Sequence, residues 1–170
     1  MGTAAIEIMG TAAIEITGTA AIEREINDPR LAEVLRIWRR VCGPRFAPSR
    51  REIQPADFRQ MLGRLAIVDV LPDGTGEARY RYRLMGTRLA AQDAFDLTGK
   101  PLSQHPMADQ RPIIQAAFDA ALAGRAPVYR EDARQDGHRR HTYARLVLPL
   151  SEDAESVTGF LLGRVVVGRT

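Results

Sequence analysis

The order in which two hydrophobic periods alternate along the chain constrains its fold more than any other feature. Residues 65–71 (LAIVDVL) are a short, nearly continuous apolar run, the pattern of a buried strand. Residues 78–85 (ARYRYRLM) alternate strictly, with Tyr80, Tyr82 and Leu84 facing one way and Arg79, Arg81 and Arg83 the other. The turn-forming PDGTG lies between them, so the two runs predict an antiparallel hairpin. The period then changes. Residues 87–95 suit one or two short helices, and residues 108–124 carry Ile113, Ile114, Ala117, Phe118, Ala121 and Leu122 near 3.6-residue spacing. Three strand-like stretches follow, over residues 127–134, 140–150 and 159–167. Two strands, a helical crossover and three strands predict an α+β domain.

Ahead of the first strand, Asp28 and Pro29 open a helix. An aspartate side chain can accept from the free N–H groups there, and proline suits the first helical position. Leu31, Val34, Leu35, Trp38 and Val41 recur at helical spacing until Gly43-Pro44 ends the run. This stripe holds the chain's one tryptophan. Aromatic anchors favour interface centres, so a homodimer is expected with Leu31, Leu35 and Trp38 in the interface. A proline-punctuated linker, residues 46–49, leads to a second short helix over residues 55–62.

Residues 2–25 read GTAAIEIM, GTAAIEIT and GTAAIERE, one octapeptide written three times. Such a unit is too short for a solenoid repeat. As a strand it would put Ile6, Ile14 and Ile22 on one face. As a helix those residues would drift by about 80° per copy, and Gly10 and Gly18 would each weaken it by about 1 kcal/mol relative to alanine. Residues 1–26 are therefore expected to be a poorly ordered tail, residues 27–47 a flanking helix and residues 48–168 the folded domain.

No motif announces a reaction. There is no nucleophile elbow, phosphate loop or dinucleotide fingerprint. Asp57, Asp69, Asp93 and Asp96 are explained as surface charge or capping. His138 and His141 would point to opposite faces of a strand, and His105 lies in a separate loop, so no metal site is expected. The single cysteine, Cys42, excludes an internal disulfide. No catalytic residues are assigned, and the chain is not expected to be an enzyme. It has no apolar run of membrane-spanning length and no signal-peptide pattern, so a cytoplasmic protein is expected.

Charge offers a second direction. Of 24 basic residues, 23 are arginine, and the net charge is +3. Between Arg30 and Arg64, nine arginines stand against Glu33, Glu52 and Asp57, a local net of +6. An arginine-rich polyanion- or nucleic-acid-binding protein is thus the alternative function. Against it, the tyrosines and arginines of residues 78–85 fall on opposite faces, whereas a stacking platform wants them together. Nucleic acid is therefore not the expected partner.

The element order and several stretches resemble a family of small bacterial PAS-like domains. The stretches are Pro48-Ser49-Arg50 through Ile53-Gln54-Pro55-Ala56-Asp57, Tyr80-Arg81-Tyr82-Arg83-Leu84-Met85-Gly86-Thr87, Asp96-Leu97-Thr98-Gly99-Lys100, and Tyr143-Ala144-Arg145-Leu146-Val147-Leu148-Pro149-Leu150. The resemblance implies an antiparallel five-stranded sheet with helices on one face and a sensory or regulatory role. It implies no common ligand and no catalytic residues, and any cofactor is left unassigned. A small apolar ligand between sheet and helices would be lined by Tyr82, Leu84, Phe95, Ile114, Phe118 and Tyr143. Since no output domain is evident in the chain, signalling is expected to pass through docking to a protein partner or a second copy.

Overall fold

Asp28 begins the first long helix as its sequence predicts. Its carboxylate accepts from the backbone N–H groups of Arg30 at 2.9 Å and Leu31 at 3.3 Å, and Pro29 occupies the first turn. This helix, α2 (Pro29–Cys42), stops at Gly43, whose φ of 60° suits glycine. The computed structural model describes residues 3–8 and 11–169. In chain order the other elements are β1 (Thr3–Ile8), β2 (Thr11–Thr17), α1 (Thr19–Glu25), β3 (Leu65–Val70), β4 (Tyr80–Met85), α3 (Thr87–Asp93), α4 (Arg111–Gly124), β5 (Val128–Asp136), β6 (Arg139–Leu150) and β7 (Gly159–Arg169). Short 3-10 helices at Arg50–Glu52 and Pro55–Met61 fill the linker before β3.

One antiparallel sheet of seven strands has the order β1-β2-β5-β6-β7-β3-β4. Its last five members are the expected hairpin and three closing strands. The first two come from the octapeptide repeat. Expected to be a poorly ordered tail, residues 11–25 instead lie on the domain: β2 pairs with β5, from Ile14 opposite Glu131 to Thr17 opposite Val128. Ile16 is 2% exposed and Ile22 0%. The same TAAIE sequence is strand in its first two copies and helix in its third. What each copy docks against decides its form, because β5 offers an unpaired edge to the second copy and α2 an apolar flank to the third. Gly18, at φ 91°, makes the break, and its N–H donates to the Pro127 carbonyl.

The sheet has two covered faces. On the outer face, α1 and α2 pack over Ala144, Leu146, Leu148, Leu161 and Val165. Leu31, Leu35 and Trp38, expected at a dimer interface, are 0%, 1% and 3% exposed within the single chain. The Trp38 indole N–H donates to the Pro149 carbonyl at 2.9 Å. The stripe is buried because the outer face of β6 and β7 is itself apolar, so its own sheet supplies what a partner was expected to supply. On the inner face, α3 and α4 cover Val68, Tyr80, Tyr82, Val128, Val147, Phe160 and Leu162.

Leu84 departs from the predicted alternation. The β3–β4 ladder shifts register between Ile67 and Val68, so that Val68 opposes Tyr82 while Ile67 opposes Leu84. Arg83 is the extra residue of a β-bulge, which reverses the facing of everything after it. Leu84 therefore turns outward, 53% exposed, and Met85 turns inward in its place. The candidate pocket residue Leu84 belongs instead to an outer apolar groove of about 130 Å³ with Ile53, Phe58 and Leu62.

Candidate functional site

The inner face divides along the strands into an aromatic end and a charged end. At the aromatic end, Phe118 of α4 stacks on Phe160 of β7 at 5.4 Å, and Tyr80 tilts against both. The Tyr80 hydroxyl donates to Asp119, and burial pushes it well above a normal phenol.

At the charged end, four residues stand opposite one another across four strands: Glu15 on β2, Arg130 on β5, Arg145 on β6 and Arg164 on β7. Like charges directly opposite on a sheet repel, and here three guanidiniums are neighbours. Carboxylates interleave them. Arg130 donates to Glu15 at 2.6 Å and to Asp132 at 3.0 Å. Arg145 reaches Asp132 at 3.3 Å. Asp93, the last residue of α3, accepts both arms of Arg164 at 2.9 and 2.7 Å, and Arg134 lies 3.6 Å from the same carboxylate. The guanidiniums of Arg134 and Arg164 each sit 5.1 Å from the ring centre of Tyr143. Arg130, Asp132, Arg145, Arg164 and Asp93 are all at most 9% exposed.

Between the two ends is a cavity of about 20 Å³ lined by Tyr82, Met85, Leu89, Asp93, His105 and Arg145, among others. That is room for about one water. His105 is neutral there: burial pushes its pKa down to about 4, against an opposing pull from Asp93. Its Nδ1 accepts from the Met107 N–H, so the ring proton is on Nε2. Burial also raises the Tyr82 phenol, while Arg145 and Arg164 pull it the other way. Burial lowers the basicity of Arg145, opposed by Asp132. The wall of the cavity thus offers N–H and O–H donors and one surplus of positive charge.

Of the residues expected to line a pocket, Tyr82 and Ile114 do so. Phe95 stands edge-on to His105 at 4.8 Å, Tyr143 lies under the two guanidiniums, and Phe118 belongs to the aromatic end. Leu84 does not belong to the site. The charged residues were not expected there. Two of them were visible in principle: Arg145 and Arg164 interrupt the apolar runs ARLVLPL and LLGRVVV at positions in phase with Val147 and Leu162. Asp93 gave no such sign.

The arginine-rich stretch is partly neutralised. Arg30, Arg36, Arg39 and Arg45 pair with Asp28, Glu33, Glu23 and Glu52. A surface cleft of about 420 Å³ remains, lined by Arg30, Arg64 and Arg88. Among the described residues, no group of His, Cys, Asp and Glu is arranged to hold a metal ion, and no helix is long and apolar enough to cross a membrane.

A family model described as "PAS domain" matches residues 26–163. A search of curated proteins finds no match. Among solved structures, one described as an RNA-binding light-oxygen-voltage receptor is similar at 17% identity and a TM-score of 0.44. The match covers 66% of this chain and 33% of that one, so the chain spans about a third of its length.

Proposed function

The chain belongs to the PAS domain family, and from that premise we propose that it is a sensory or regulatory module whose inner cleft takes a small polar ligand. The observation that carries this reading is Arg145. It is 5% exposed, it lines the cavity beside Arg164, and among the described residues its guanidinium hydrogen-bonds to Asp132. Beside it, Arg164 is buried with its Nε unpartnered among the described residues, and buried cations held in this way are costly for stability alone. A polar ligand fits this wall better than the apolar one the sequence suggested. The role is binding rather than catalysis, and the signal passes by docking to a protein partner or a second copy. Equilibrium dialysis against a small-molecule extract, read by mass spectrometry, should enrich a polar molecule on the chain and not on Arg145→Gln. Equal enrichment on the variant would place the ligand elsewhere.

The cleft formed by Arg30, Arg64 and Arg88 favours a second reading, polyanion binding at the surface. Burial and the neighbouring arginines lower the basicity of Arg64, which an anion between them would reverse. Binding of this kind should weaken steeply with added salt and disappear in Arg64→Ala with Arg88→Ala.

A further inference from the structure

We propose that the cleft binds a small carboxylate, which takes over the arginine fork now occupied by the protein's own Asp93. The inference rests on the sensing role assigned to the cleft above, and it names the ligand's class and the element that reports it.

Charge within the buried cluster comes first. Among the described side chains, Arg130, Arg134, Arg145 and Arg164 face Glu15, Asp93 and Asp132, four cations against three anions. The Nε atoms of Arg134 and Arg164 are buried with no hydrogen-bond partner among the described residues. The cluster thus holds donors that its described carboxylates do not satisfy. That surplus favours an anionic ligand over a neutral one.

Geometry gives the class. Asp93 meets Arg164 through two nearly equal bonds, 2.9 and 2.7 Å. That is the planar fork-to-fork match between guanidinium and carboxylate. Arg145, directly opposite Arg164 on the next strand, lines the same cavity. A carboxylate between them would have two guanidiniums, the Nε2–H of His105 and the ring of Tyr82 around it. The space is about 20 Å³, so a ligand enters only as the Asp93 side chain leaves. This limits it to a few carbon atoms and disfavours a phosphate.

The displaced group is placed to report. Asp93 closes α3, a helix of seven residues, and Ala94 follows it in a left-handed conformation at φ 63°. The other end of α3 is fixed, because the Gly63 carbonyl accepts from the N–H groups of Arg88 and Leu89. Gly86 lies so close to Gly63 that any side chain there would collide with its carbonyl. Losing the Asp93–Arg164 contact therefore frees one end of α3 while the other stays pinned. The ligand would be sensed as a swing of that helix away from β7.

The test uses sodium acetate and sodium pyruvate on the full chain, with sodium chloride at equal ionic strength as the control and inorganic phosphate as the competing anion. Binding is read from amide chemical shifts of residues 87–94. Acetate or pyruvate should shift these amides saturably, and chloride should not. Asp93→Asn, which weakens the internal competitor, should raise the affinity about tenfold. Arg145→Lys, which keeps the charge and loses the second guanidinium facing the ligand, should lower it about tenfold. Absence of any saturable shift in both the native chain and Asp93→Asn would overturn the proposal, as would an affinity indifferent to Arg145→Lys. Tighter binding of phosphate than of either carboxylate would overturn the assigned class. A neutral molecule saturating the same amides would also overturn it, yet would leave the cleft's sensing role intact.

Discussion

Adjacent residues of β6 and β7 live in opposite chemical worlds. Leu146, Leu148, Leu161 and Val165 face outward into an apolar layer sealed by α2. One step along the same strands, Arg145 and Arg164 face inward among carboxylates. The outer face does only what cores do: it removes apolar area from water, at about 25 cal/mol per Å². The inner face takes charge out of water, and ion pairs seldom repay that fully. A fold that already has a sufficient outer core does not need the inner row for stability. The proposed binding role would account for that contrast.

The largest expected effects test this directly. Leu148→Ala on the outer face should cost about 2–5 kcal/mol in urea melts. Asp93→Leu on the inner face should cost a similar amount, about 3–5 kcal/mol, because it strands Arg164. The two differ in what a second substitution does. Adding Arg164→Leu to Asp93→Leu should recover part of the loss, since an apolar pair replaces a broken ionic one. If the double variant is instead as costly as the two single changes added together, the inner row is a stability device and the contrast fails.

A smaller effect, about 1–3 kcal/mol, is expected for Glu15→Gln. This carboxylate comes from the octapeptide repeat and reaches Arg130 at 2.6 Å, where both partners are largely buried. An unchanged melting curve would show that the second copy of the repeat contributes nothing to the inner row.

The repeat also shows where sequence reasoning stops. The helix from Pro29, the hairpin, the crossover and the closing strands were legible because each has its own period or cap. The two strands and the helix made from GTAAIE copies were not, since identical residues take different forms according to what they touch. The bulge at Arg83 was hidden for a related reason, as strict alternation in ARYRYRLM carries no mark of a slip against its partner strand. Most of the charged site was masked by composition: with 23 arginines in the chain, only Arg145 and Arg164, which interrupt apolar runs, stand out before burial is known.

A pH titration sharpens the contrast further. His105 has a folded pKa of about 4, pushed down by burial on the inner face, against about 6.5 when unfolded. Between those values the unfolded chain takes up a proton that the folded chain refuses. Stability should therefore be undiminished by this group above pH 6.5 and fall as the pH drops toward 4, with a slope of one proton. His105→Asn can still accept from the Met107 N–H and should remove that slope. A slope that persists in the variant would assign it to other groups of the cluster.

The smallest effect concerns the face that Leu84 occupies. Uninterrupted alternation would put this side chain beside Tyr82 in the cleft, where an aspartate would be severely destabilising. The bulge puts it outside, at 53% exposure, on the same face as Arg83, which pairs with Asp69 at 3.0 Å. Leu84→Asp should then change the unfolding free energy by no more than about 0.5 kcal/mol, the lost contact in the outer groove being partly offset by Arg81 and Arg83 nearby. Met85→Asp, one residue on and 6% exposed, should cost several times more. If the two costs were reversed, the slip would be absent. Leu84 would then line the cleft after all, and the inner face at that end would be more apolar than its present wall of Tyr82 and Met85.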